Sequence, residues 1–268
     1  THMHRNVGTR GGAVFQEGSS AVADLSNTLI YSNTATAGYG AGIRSRAGTI
    51  TMTHTTLAHN INGAGYSQVN TTGIAHNSIA WGNEQGGFWV ASGPLSGSCC
   101  LDQTGNAGPS LNPQFVSPGL GENYHLSGGS PAIDRCATGL PDDLEGVTRP
   151  IGGGYDAGAY ELPYAVTLEP DRTSTEMPGN DAHYQHTLTN MGITTDTYTL
   201  TLQSNLGWSV SSPSGPTIEL GPGQSSPITV DVGVPSSVMS STMNTTHLTV
   251  DSAAAPGLSA TVTDKTIV

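Results

Sequence analysis

Three short phrases constrain this chain more than anything else in it: NTLIYSN at residues 27–33, HTTLAHN at 54–60 and NSIAWGN at 77–83. Each ends in asparagine and carries an apolar residue near its middle. With Asn6, the terminal residues form the series Asn6, Asn33, Asn60 and Asn83, spaced by 27, 27 and 23 residues. A period of 20–30 residues indicates a solenoid. The runs before each phrase, SAVADLSNTLI and GTITMTHTTLA, alternate with period two, as strands with one buried face do. Val22, Leu25, Ile30, Ile50, Met52, Leu57, Ile74 and Ile79 are the expected inward residues. A right-handed parallel β-helix explains the recurrence. Its coils stack about 4.8 Å apart, so equivalent side chains recur one above the other. Asparagine tolerates the left-handed backbone of a corner, and its amide can bond the asparagine of the next coil. Asn6, Asn33, Asn60 and Asn83 are therefore expected to form a structural ladder, with Asn27, His54 and Asn77 as a second column. Asn6 already fits the repeat, so the sequence is expected to start inside an array belonging to a longer protein.

Composition narrows the function. Charged residues make up 10% of the 268, and the formal net charge is −12 with a single lysine, Lys265. Nucleic acid and anionic membranes are disfavoured partners, because both need clustered cations. No apolar run is long enough to cross a bilayer, so no direct membrane insertion is expected. The three cysteines, Cys99, Cys100 and Cys136, lack metal-ligand spacing. One of the adjacent pair is expected to join Cys136, with Cys100 preferred; a free buried thiol is the alternative. The low-lysine, Thr- and Ser-rich character suits an extracellular or cell-surface location.

NSIAWGN, NPQFVSPGLGENYHLSGGSPAIDRC and DDLEGVTRPIGGGYDAGAYE together resemble bacterial surface β-helix proteins, the polymorphic-outer-membrane-protein-like chains with a choice-of-anchor Q region. The resemblance spans about residues 1–162. It implies a surface or secreted protein in which the segment after the last full coil wraps and ends the solenoid. It implies no activity. Six carboxylates, Asp134, Asp142, Asp143, Glu145, Asp156 and Glu161, cluster there beside Arg135 and Arg149. They admit three readings: an acid–base pair, a calcium site near Asp142, Asp143 and Asp156, or caps that fix an irregular segment. Recurrence of these phrases as a family terminator favours caps. No catalytic residue, metal ligand or cofactor is expected.

After GAYELPY the texture changes. Residues 163–268 read as about seven short strands between Gly/Pro turns, the pattern of an Ig-like β-sandwich. Trp208 is the expected central aromatic, with Tyr184, Leu188, Tyr198, Leu200 and Leu248 around it. TLTNMGITTDTYTLTL, GWSV and ELGPGQSSPITVDVGVP resemble a bacterial Ig-like repeat of the type found beside alpha-galactosidase domains, which implies a spacer or stalk unit. His183 and His186 are three apart in a strand, hence on opposite faces and unsuited to sharing a metal. Asn70 and Asn244 fit the glycosylation acceptor pattern.

The fold expected is thus all-β: a β-solenoid over 1–162 followed by a sandwich over 163–268. The function expected is a non-enzymatic extracellular structural protein of a stalk, adhesin or self-assembling filament, with end-to-end self-association. The alternative is a carbohydrate-binding or polysaccharide-processing fragment, with Tyr31, Trp81, Phe88 and Trp89 as candidate sugar-stacking aromatics.

Overall fold

The computed structural model describes residues 1–268 and contains no α-helix. The chain divides into two compact units, Thr1–Leu162 and Pro163–Val268.

The first unit is a β-solenoid of parallel strands. Strand Val22–Tyr31 pairs with Gly40–Ala58, which pairs with Ala64–His76, which pairs with Leu95–Ser98. Gly40–Ala58 turns two corners in its course, each made by one or two residues of positive φ: Ala47 (φ 68°) with Gly48 (87°), and His54 (48°). The corner positions repeat in register. Asn27, His54, Asn77 and Cys99 form one left-handed column at φ 43–58°. Arg5, Ser32, His59 and Gly82 form another at φ 50–72°. The ladder asparagines are therefore not the left-handed residues: each follows one. Their role is inward hydrogen bonding, for which the preceding tight corner aims them.

The core stacks one position above another. Ile43, Tyr66 and Phe88 lie in one inward column, Met52 and Ala75 in a second, and Ile30, Leu57 and Ala80 in a third. Two of the residues expected to point inward do not. Val22 is 70% exposed, and Ile74 sits in the outward column of Asp24 and Thr51. The reason is parity. Leu25 is inward, so Val22, three residues earlier in the same strand, must face out. The inward neighbours of Ile74 are the small Gly73 and Ala75, which hydrophobicity alone passes over.

The segment 111–162 lies along the outer flank of the third solenoid face, against Leu29, Thr56, Ile79 and Leu101. Residues of one corner column anchor it. Asn27 donates to Asp142 O (2.7 Å) and Asn77 to Thr138 O (2.6 Å), while the neighbouring Thr56 Oγ1 accepts from Ala159 N (2.9 Å). Covering this face hides the aliphatic column Leu29, Ile79 and Leu101, each 0–1% exposed.

A disulfide ties the segment to the coils, and it joins Cys99 to Cys136 rather than Cys100 to Cys136. Strand register explains the difference. Cys99 stands above Asn77 in the left-handed corner column, which faces the flanking segment. Cys100 points inward, is 1% exposed, and has its thiol pushed up to about 11 by burial.

The second unit is an Ig-like sandwich of nine strands rather than seven. A four-stranded sheet holds Val166–Glu169, Asp181–Asn190, Ser225–Gly233 and Ser209–Ser211. A five-stranded sheet holds Arg172–Thr175, Ser259–Ile267, Met243–Ser252, Asp196–Ser204 and Thr217–Leu220. Alternate residues of both sheets face a core of Tyr184, Leu188, Tyr198, Ile228, Val230, Leu248 and Val250. Tyr198 is fully buried, whereas Trp208 keeps 8% exposure and Leu200 packs at the margin. His183 pairs with Asp231 on the surface (2.6 Å), and His186 with buried Asp264 (3.0 Å). The two histidines thus face opposite sides of the strand.

Candidate functional site

The asparagine ladder is a continuous hydrogen-bond relay. Asn33 Oδ1 accepts from the backbone N–H (3.0 Å) and amide (2.9 Å) of Asn6. Asn60 Oδ1 does the same for Asn33 (both 3.0 Å), and Asn83 Oδ1 for Asn60 (3.0 and 2.8 Å). The second amide proton of each buried rung goes to a backbone carbonyl, Tyr31 O for Asn33, Ile30 O for Asn60 and Leu57 O for Asn83. From Asn33 onward the rungs are 0–1% exposed and each is bonded through both its amide oxygen and its amide nitrogen, so they hold the coils rather than face a ligand. A shorter polar column was not legible in the repeat. Gln16, Ser45 and Gln68 point inward in register, and the two glutamines bind the carbonyls of the next corner.

The carboxylates of the flanking segment serve backbone N–H groups. Asp143 accepts from Glu145, Val147 and Glu161; Asp156 from Asp134 and Leu162; Glu161 from Ile151 and Asp156. Arg149 Nε lies 3.7 Å from Glu161 Oε2, and its terminal nitrogens donate to Asp156 O and Gly158 O (3.1 Å each). Burial raises the Asp156 carboxyl to about 8, and the nearby Glu161 charge adds to the rise. His54 is held down to about 3, first by burial and then by the adjoining Arg149 charge. Its Nε2 accepts from Asn77 (2.9 Å) and its Nδ1 meets Arg149 Nη1. No group of three or more His, Cys, Asp or Glu is arranged to hold a metal ion. The geometry is that of caps: the acidic oxygens are spent on turning the backbone.

The aromatic candidates separate sharply. Tyr31 is 6% exposed, stacked on His4 and against Tyr124. Phe88 is fully buried, 5.8 Å from the Tyr66 ring. Neither can stack on a sugar, because both lie inside apolar clusters. Trp81 is half-buried under the flanking segment. Trp89 alone of the four is open, at 43% exposure. Its neighbour is a residue the sequence did not single out, Tyr39, also 43% exposed, carried on the loop that enters strand Gly40–Ala58.

Between Tyr39 and Trp89 lies Arg44. Strand register places Phe15, Arg44, Ser67 and Trp89 at the same outward position of successive coils. Because Ser67 is small, the Arg44 side chain lies along the wall toward Trp89. Its guanidinium carbon is 4.6 Å from the Tyr39 ring centre and 5.9 Å from that of Trp89. Two hollows adjoin at Tyr39. One, about 230 Å³, is lined by Gly38, Tyr39, Ala64, Ser67, Gln85 and Trp89. The other, about 250 Å³, is lined by Arg10, Tyr39, Arg44, Arg46 and Val69. A larger cleft of about 520 Å³ at the ladder corner includes Arg5, His59, Glu84 and Glu122. Its charged groups are engaged, Arg5 with Glu122 (2.5 Å) and Glu84 with Asn62 N–H (2.7 Å).

No family model and no curated protein matches this chain. Among solved structures it is similar to PapD-like domain 7 of human CEP192, with 13% identity over 40% of this chain and 88% of that one, TM-score 0.32. A FixG-related protein of Vibrio parahaemolyticus gives 15% identity, 40% and 96% coverage, and TM-score 0.31. The E. coli chaperone DraB gives 16% identity, 39% and 54% coverage, and TM-score 0.29. Scores this low say nothing of what the chain does, and its fold rests on its own strand pairing.

Proposed function

We propose that this chain is a non-enzymatic extracellular structural protein of the adhesin or stalk kind, and that an open face of its solenoid contacts glycans. The observation that carries the reading is the pair of exposed aromatic rings, Tyr39 and Trp89, lining one hollow on a wall fixed by parallel strand register. Exposed aromatics on a rigid wall stack against sugar faces at small entropic cost. The disulfide supports an oxidising location. Backbone capping by the buried carboxylates supports a structural rather than catalytic use of the flanking segment. The motifs resembling surface β-helix proteins and Ig-like spacer repeats fit the same reading. The test is retention of the full chain on insoluble polysaccharides, with the supernatant assayed for reducing ends and unsaturated products. Retention without product is the expected outcome. Product release would overturn the non-enzymatic reading, and no retention on any polysaccharide would overturn glycan contact.

A further inference from the structure

Arg44 is an anomaly as a purely structural residue. It is 6% exposed, yet no carboxylate pairs with it. A guanidinium has five N–H donors. The Arg44 guanidinium makes one hydrogen bond, from Nη1 to Ser67 Oγ at 2.5 Å, and its buried Nε has no partner. Burial lowers its pKa, and the Arg46 and Arg10 charges lower it further. Protein interiors accept a buried guanidinium when a carboxylate or phosphate saturates its fork. Here the stacking rings hold the guanidinium rigid and leave the fork unsaturated.

The surroundings favour an anion. In a chain of net charge −12, three of the eight basic residues, Arg10, Arg44 and Arg46, line one hollow of about 250 Å³. Glu17 neutralises one of them, Arg46, at 2.7 Å. The adjoining hollow, with Trp89 and Tyr39 on its walls, is about 230 Å³. Each is below the roughly 300–1,000 Å³ of pockets for drug-sized ligands, a scale suited to one sugar unit or one substituent.

We infer that this face binds an acidic saccharide, with a sugar ring in the Tyr39–Trp89 hollow and its carboxylate or sulfate against Arg44 and Arg10. This rests on the glycan-contact reading above and specifies its ligand class. Arg44 supplies the planar fork for the acid group, and Tyr39, shared by both hollows, couples the two halves of the ligand.

The experiment uses the full chain on immobilised alginate and hyaluronan (carboxylated), carrageenan (sulfated), and dextran and galactomannan (neutral). The comparison proteins are Trp89→Ala, Arg10→Ala and the volume-preserving Arg44→Met, each checked for an unchanged unfolding transition. Retention on acidic polymers only is expected. It should weaken at least tenfold in Trp89→Ala and in Arg44→Met and fall away in half-molar salt. Arg10→Ala, at an exposed position, should weaken it severalfold and keeps the test sound if Arg44→Met misfolds. Carboxylated and sulfated polymers separate the two acid groups. Equal retention on neutral polymers, still sensitive to Trp89→Ala, would overturn the acidic ligand while leaving glycan contact standing. Retention insensitive to every variant, or none at all, would overturn both.

Discussion

Asn60 carries four side-chain hydrogen bonds in the ladder. Its Oδ1 accepts from Asn33 N and Asn33 Nδ2, and its Nδ2 donates to Ile30 O and Asn83 Oδ1. Replacing it with alanine leaves Asn33 N–H and Ile30 C=O without these partners, in a site of 0% exposure. A buried orphan costs about 1–3 kcal/mol. With the small cavity added, Asn60→Ala should destabilise the solenoid unit by about 3–6 kcal/mol. At the usual urea slope this moves the midpoint down by about 2 M. Asn60→Asp is isosteric yet should be worse at neutral pH, because it sets a carboxylate oxygen against two acceptors. It should recover in part in acid, where a protonated carboxyl donates once. Asn6→Ala, at the exposed rung, should cost only about 1 kcal/mol. The assay is urea unfolding of the full chain in a Trp208→Phe background, so that fluorescence reports Trp81 and Trp89 of the solenoid unit alone. An Asn60→Ala protein within 1 kcal/mol of the parent, or an Asn60→Asp protein equal to it at neutral pH, would refute the ladder as a source of stability.

His54, buried with its pKa held at about 3, makes the solenoid acid-sensitive. Above about 6.5 folded and unfolded chains both keep it neutral; below that the unfolded chain binds a proton that the folded one refuses until about 3. The span is worth up to about 5 kcal/mol. Asp156, raised to about 8, acts oppositely: its contribution is full below about 3.8 and is lost as pH rises through 8. His54→Asn, which suits the left-handed corner as Asn27 and Asn77 do, should remove the loss between pH 6.5 and 3, read as the difference between two pH–stability curves. Thiol titration in denaturant should find one free thiol in the parent, none in Cys100→Ser and two in Cys99→Ser. Opening this 37-residue link should cost the unit about 4 kcal/mol on the chain-entropy scale. In a glycosylating host, Asn70 should be modified and Asn244 should not, by glycopeptide mass. The first is exposed, while the second is fully buried and bonded to Ser204 and Thr246.

The solenoid was legible because its repetition is written in single residues. A terminal asparagine every 23–27 positions and alternation between them imply stacked coils with an asparagine ladder at one corner. The sandwich was legible from strand-and-turn rhythm, though Arg172–Thr175 carries too few alternations to stand out, and Thr217–Leu220 and Ser225–Gly233 read as one run across a short turn. The inward residues were harder. Val22 and Ile74 are as apolar as their buried neighbours, and only parity against Leu25 and Ala75 assigns their side.

The proposed binding face was barely legible. Trp89 was noticed as an aromatic, but so were Tyr31 and Phe88, which the fold buries. Tyr39 does not stand out in the sequence, because it belongs to no local motif. Residues 39, 44, 67 and 89 meet because each coil returns the chain to the same place, one strand spacing along the axis. Coil periodicity is a local property, set by which residues can turn a corner and which can line the interior, so the sequence by itself determined it. The corner lengths differ from coil to coil. Which cysteine faces the flank, which ring is left open and which guanidinium goes without a carboxylate depend on the resulting register, and register is decided only when the coils pack.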